Sequence, residues 1–483
     1  MSLAFRSVLA IVLFIGFYVM ALSIAAGLVL LPVAELLLID RVHLKLGFVC
    51  VAAAAIIVWS VLPRFDRFVA PGPELLRESH PELFEVIDDV ANKTGQAAPA
   101  EVFLLSDVNA FVAQRGGVMG IGSRRVMGLG LPLLQVLSVS ELRAVLAHEF
   151  GHFHGGDTAL GPWIYKTRQA MGRTITNLGE SGFWLLQLAS FPFKAFGGLF
   201  LRVTLAISRA QEYAADALAA QLEGPAALAS SLRAVHGAAM AFDPYLNDEV
   251  VPVLSHGRMP PIAAGFASFL ASPNIATAVE KNIQEEVETG EGDPFDSHPC
   301  LRDRLAALDA FEQRDRSTDD RPSICLINDI EKWERAVLQP MLSISVNELA
   351  AVPWARVGSE VSLPQQREVA KEAMVSLAGQ ALADLDLSKA SVAALGRQAA
   401  SGPVDDAAAH RVGTYVLQAL VLVTLVREGW ELESLPGRPY TATHGEQRFE
   451  LNALLQSHDS VAAAKEAWLA ALDAAGVDRS ICV

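Results

Sequence analysis

The chain is short of charge, of cysteine and of any basic excess. Charged residues make up 19% of its 483 positions, against 52% apolar, which is too apolar for an ordinary soluble protein of this length and directs attention to membrane segments. The formal net charge is −16, which argues against a nucleic-acid partner, whose phosphate backbone needs a basic face. Cysteine occurs at only four scattered positions, Cys50, Cys300, Cys325 and Cys482. They form no disulfide framework and no cysteine-based zinc site, and they suit a reducing compartment for the soluble part.

Long uncharged runs are present. Ser7 to Val33 carries no charge over about 27 residues, enough to cross a bilayer at about 1.5 Å per residue. Leu46 to Leu62 is a second such run, and the first is too long for a cleaved leader. The two read as an N-terminal transmembrane hairpin over residues 1–70. Arg6, Arg64, Arg67 and Arg77 flank it, which places the N-terminus and the chain after the hairpin on the cytoplasmic side of a cell membrane.

The strongest chemical signal is His148-Glu149-Phe150-Gly151-His152. On a helix, positions i and i+4 share a face, so both imidazoles reach one zinc ion while Glu149 lies beside it to take a proton from water. Ser138 and Glu141 fit a capping box ahead of the motif, with Ser140 as a competing cap. A zinc site needs a third protein ligand. A histidine six residues past the motif is ruled out because Thr158 stands there, and His154 points to another helix face. An acidic pair on a later Ala-rich stretch supplies the alternative: Glu212 as the third ligand, and Asp216, one turn on, as acceptor for the free N–H of a ligating histidine. Alone, that pair would be an ordinary solvated one; the upstream motif changes its reading.

These residues resemble the integral-membrane zinc peptidases that include the CAAX prenyl endopeptidase and the bacterial HtpX heat-shock protease. The resemblance is carried by His148–His152, Gly156-Asp157, Glu212 with Asp216, the Asn109-Ala110-Phe111 element upstream, and Ser297-His298-Pro299 with Leu301 and Arg304 downstream. It covers roughly residues 1–310, and Cys300 departs from it where a second proline is usual. It implies a mainly α fold with a small β-sheet, a membrane-anchored gluzincin-like peptidase, Zn2+ as cofactor, and a protein or peptide substrate met at a lipid bilayer. His298 is the candidate donor to the oxyanion, with a structural His-Pro turn as the other reading; Arg304 is placed to hold a carboxylate.

Three regions are expected: the hairpin at 1–70, the peptidase at 71–312, and an α-rich accessory region at 313–483 without a chemical motif of its own. Short apolar runs between Glu101 and Leu131 predict a small sheet whose edge, near Asn109, Ala110 and Phe111, pairs with an extended peptide. Since His152 and Glu212 must meet at one metal, a single crossing between them is forbidden. The apolar stretch 183–207, interrupted by Pro192, is therefore expected to be re-entrant, interfacial or broken into a short hairpin. Tyr415–Val426 is too short to span and reads as a core helix. The function expected is a membrane-bound zinc endopeptidase in membrane-protein quality control; the alternatives are a prenyl-protein protease and a metal-binding scaffold without turnover.

Overall fold

The computed structural model describes residues 3–40, 43–62, 68–116, 122–153, 161–180, 184–291, 298–312, 318–400, 402–450 and 461–483. The chain folds as two compact units, residues 1–237 with 281–330, and residues 238–280 with 331–483. This division differs from the expected boundary at 312. Residues 318–323 belong with the first unit because Val139 N–H donates to the Arg321 carbonyl at 2.9 Å, and the Ser323 hydroxyl donates to the Leu134 carbonyl at 2.9 Å. Residues 238–280 belong with the second because Arg258–Met259 pairs in parallel with Ala350–Ala351, and buried Glu334 accepts the Ala263 N–H at 2.8 Å. Pairings this distant along the chain leave no local mark in the sequence.

In the first unit, α1 (Leu3–Ile39) and α2 (Leu44–Val61) form the N-terminal helix pair. Next come β1 (Glu74–Leu75), α3 (Pro81–Thr94), β2 (Glu101–Leu105), β3 (Ala110–Arg115), β4 (Arg124–Gly130), α4 (Leu131–Val136), α5 (Val139–Gly151), α6 (Gly161–Gly179) and α7 (Trp184–Glu223). Phe17, Ala21 and Ala25 on α1 pack with Ala53, Ala54 and Ile57 on α2, Ala170 and Leu178 on α6, and Phe193 and Phe200 on α7. The outward side of α1 stays apolar as well, with Val12, Ile15, Val19 and Leu22 all more than half exposed. A helix apolar on every side suits a lipid solvent rather than water. Among the described residues, four helices are long and apolar enough to cross a membrane: Val8–Leu38, Leu44–Val61, Leu186–Glu223 and Asp406–Arg427.

The stretch 183–207 is not broken. From Trp184 it belongs to one 40-residue helix that takes in Pro192; Phe183 lies outside the described residues. Proline costs that helix one backbone hydrogen bond, and the burial of Phe193 and Phe200 on the same helix holds it together. α6 packs beside α7 and is not among the described helices long and apolar enough to cross a membrane. The two run antiparallel, with Arg168 donating to Thr204 Oγ1 at 2.7 Å. Two polar residues of α6 find partners on α2: Arg173 donates to the Ser60 carbonyl at 2.9 Å and Asn177 to Ser60 Oγ at 3.0 Å.

The four-stranded sheet has the order β1-β2-β4-β3, so β3 is an edge. β2 and β4 are parallel, while β3 runs antiparallel to β4 with Phe111 opposite Gly128. Glycine is required at 128 because a Cβ there would lie 2.4 Å from the Phe111 ring.

The second unit is mostly helical. The helix around Tyr415–Val426 extends over Asp406–Arg427 and is long enough to cross, against the expectation from its apolar run, but every residue from 416 to 425 is buried, which makes it the core helix expected. It is followed by a three-stranded antiparallel meander, Glu431–Glu433, Thr441–His444 and Gln447–Glu450.

Candidate metal centre

The site is built where α5 crosses α7. α5 starts at the expected capping box: Ser138 Oγ accepts from Glu141 N–H at 3.2 Å, and Glu141 Oε2 accepts from Ser138 N–H at 2.8 Å. Ser140, the competing cap, instead accepts the Asp319 N–H at 2.7 Å. Leu142, Leu146 and Phe150, each 0% exposed, bury the inner face of α5. That fixes its rotation, so His148 and His152 both point to α7 across the small residues Gly151 and Ala215.

His148, Glu149 and His152 offer ligand atoms that all lie within 4.8 Å of one another. From α7, Glu212 brings Oε2 to 3.5 Å from His148 Nε2 and Oε1 to 3.5 Å from His152 Nε2. Two ligands held about 2.0–2.1 Å from a tetrahedral zinc are necessarily about 3.4 Å apart. Each imidazole Nε2 stands about that far from one oxygen of the Glu212 carboxylate, so this set of two imidazoles and a carboxylate fits a divalent cation of that size. Glu149 is the carboxylate left over, half-buried beneath β3, where the Val112 backbone amide hydrogen-bonds to it.

A second layer holds these donors. Asp216 Oδ1 lies 2.9 Å from His148 Nδ1, on the side of the ring away from Nε2. Arg304, on the short helix Leu301–Leu308, grips Asp216 with two bonds of 2.9 and 2.7 Å. Its role as a carboxylate holder is thus toward Asp216, with Glu212 farther off at 3.9 Å. His298 is 60% exposed, and its Nδ1 lies 3.0 Å from Glu212 Oε2, so it stands at the rim of the site.

Burial and the neighbouring charges set the protonation states. Burial alone would lower His148, but Asp216 and Glu212 outweigh it and hold the imidazole up at about 9. Burial pushes the Glu149 carboxyl up to about 7, with the His148 charge pulling the other way. Burial, reinforced by the charge on His148, takes His152 down to about 4.

Asn109, Ala110 and Phe111 lead into and begin the edge strand. The Gly130 N–H donates to the Asn109 carbonyl at 2.8 Å, which makes Ala110↔Leu129 a pair whose own backbone groups point away from β4. By the antiparallel alternation, the N–H and C=O groups of Ala110, Val112 and Gln114 face the cleft. The motif revealed none of this, nor the Val112 amide beside Glu149, because both depend on sheet register. His154, Gly155, Gly156, Asp157, Thr158 and Ser297 lie outside the described residues.

Residues 77–312 match peptidase family M48. The chain is 30% identical over 248 residues to a protein named protease HtpX homolog from Acidiphilium cryptum, covering 49% of this chain and 76% of that one. A protein of the same name from Persephonella marina is 29% identical over 199 residues (38% and 66%). Another from Tropheryma whipplei, strain Twist, is 30% identical over 180 residues (34% and 59%). The matches thus span from 59% to 76% of these relatives' own lengths. No solved structure matches the chain.

Proposed function

The chain belongs to peptidase family M48, and from that premise we propose that it is a membrane-bound, zinc-dependent endopeptidase. The reading rests on one observation above the others: the Glu212 carboxylate lies 3.5 Å from the Nε2 atoms of both His148 and His152.

In this reading His148, His152 and Glu212 hold zinc, which when bound polarises the scissile carbonyl and acidifies water. Glu149 accepts the proton of the attacking water and passes it to the leaving amine. A pKa near 7 in the surrounding field suits a group that must both take and give a proton. Asp216 orients His148, and Arg304 orients Asp216. His298, exposed at the rim, donates to the oxyanion as the carbonyl becomes tetrahedral. The outward groups of Ala110, Val112 and Gln114 receive the substrate as an added strand. α1 and α2 anchor the peptidase region, and the basic residues flanking them put the site on the cytoplasmic face of the cell membrane. The substrates are damaged or regulatory membrane proteins, as the resemblance to the HtpX heat-shock protease implies.

The test is zinc content and casein hydrolysis of the full chain in detergent, for wild type and Glu149→Gln. One zinc per chain in both, with cleavage by wild type alone, is expected. Zinc in neither protein would remove the reading's support. Zinc in both with hydrolysis in neither would favour the scaffold.

A further inference from the structure

Arg168 on α6 is a half-buried cation whose protein partner is neutral. Its Nε and Nη2 donate to Thr204 Oγ1 on α7 at 3.3 and 2.7 Å. Thr204, 1% exposed, gives its own proton to the Phe200 carbonyl at 2.9 Å, so its oxygen is turned to accept. A hydroxyl fixes the direction of the guanidinium and leaves its charge in place. Among the described residues no carboxylate lies within 4.0 Å of Arg168, and its Nη1 has no acceptor. Arg143 and Arg304, in the same unit, each meet a carboxylate: Arg143 those of Asp89 and Glu223, Arg304 that of Asp216. Withdrawing a cation from water without a counter-charge is costly, and an ionisable group set beside a bilayer's apolar layer points to a ligand of opposite charge.

Its neighbours place it at the edge of that layer. Arg173, five residues on in α6, donates to Ser60, the last residue but one of α2. Arg168 is thus about 7.5 Å along α6 from the level at which that apolar helix ends. The exposed side of α7 carries Leu188, Phe191 and Leu199, with Lys194 among them on a stem long enough to reach outward, and it is basic at Arg202, two residues before Thr204. Trp163, 41% exposed, stands edge-on to Phe14 of α1 at 5.5 Å and is the amphipathic ring favoured at that depth. The layer just outside the acyl chains is that of the headgroups, whose anion is a phosphodiester. The guanidinium fork matches two phosphate oxygens.

We infer that Arg168, oriented by Thr204, binds the phosphate of an anionic phospholipid headgroup seated between α6 and α7. Thr204 lies eight residues before Glu212 in one continuous helix, about 12 Å along its axis. A bound headgroup therefore braces the helix that carries Glu212. The inference rests on the membrane setting and does not depend on turnover.

The experiment titrates phosphatidylglycerol and phosphatidylcholine into the full chain in a neutral detergent and counts bound lipid by native mass spectrometry. The first phosphatidylglycerol is expected to bind about five-fold more tightly than phosphatidylcholine, the weight of one cation against an anionic headgroup. Arg168→Gln should remove that preference. Thr204→Val, which keeps the charge and loses the group that orients it, should reduce it. If Arg168→Gln does not fold, Arg168→Lys replaces it; a point charge without the fork should keep only part of the preference. The titration is repeated in excess inorganic phosphate. A preference that survives there supports a lipid; one abolished by free phosphate shows a phosphate-ion site and overturns the lipid assignment. Equal binding of the two lipids by the wild type, or a preference unchanged in the Arg168 variant, overturns the site itself.

Discussion

The backbone of Ala215 occupies the space that a side chain on Gly151 would need: a Cβ at 151 would stand 2.9 Å from Ala215 Cα. One of the two variable positions of the histidine motif is therefore fixed by the helix crossing rather than by chemistry. The same close approach brings Glu212, three residues before Ala215, to both imidazoles.

Gly151→Ala is expected to push α5 from α7 and to cost about 1–3 kcal/mol, the usual range for overpacking a tight interface. Because the crossing sets the ligand separation, zinc affinity should fall with stability. Thermal unfolding and a chelator competition check the two together, and an unchanged zinc affinity would contradict the role given to the crossing.

Asp216→Asn should weaken zinc binding by about 10–100-fold, the typical effect of losing the partner that orients a ligating histidine. Arg304→Gln should act in the same direction through Asp216, since its two bonds of 2.9 and 2.7 Å hold that carboxylate. Arg304→Lys should not restore full affinity, because an ammonium cannot make the paired contact. The double variant should lose less than the sum of the single ones if the residues act as one chain.

The His148 imidazole, held up at about 9 from its ordinary 6.5, keeps its proton through neutral pH until a cation displaces it. Zinc binding releases that proton. Affinity should therefore climb about tenfold per pH unit and level off near pH 9. An imidazole at its ordinary value would level off near 6.5. Competition against a chromophoric chelator between pH 6 and 9.5 distinguishes the two curves.

Ser138→Ala removes the cap of α5 and should lower stability by about 1 kcal/mol, within a usual range of about 0.5–2. Ser140→Ala leaves the capping box intact and instead loses the 2.7 Å bond from Asp319. Unfolding with urea should separate the two, and a larger effect at Ser140 would reverse the assignment of the cap.

The parts of this molecule legible in the sequence are those written in short periods. His148 and His152 share a face because four residues make a turn, and the capping box is a four-residue pattern that the helix uses as read. Glu212 required more: its one-turn spacing to Asp216 was suggestive, and the resemblance to known peptidases supplied the link to a motif some sixty residues upstream. What the sequence did not disclose depends on distant partners. Pro192 looked like a break because a proline's cost is local, whereas the burial of Phe193 and Phe200 that offsets it is not. The acceptors of Arg168 and Arg173 on α6, Thr204 and Ser60, lie on other helices and leave no local mark. The division into two compact units is hidden from the sequence for the same reason: the backbone bond from Val139 to Arg321 leaves no trace near either residue.

α7 joins the apolar helices to the metal centre without a joint. Leu199, on its outer face, is 51% exposed, and Glu212 follows thirteen residues later in the same helix, about 20 Å along the axis. A rigid rod of that kind works as a ruler. The distance from the apolar part of α7 to the cutting point is then set by helix length rather than by a flexible tether, and inserting four residues between Leu199 and Glu212 would lengthen it by about 6 Å while turning Glu212 by only about 40°.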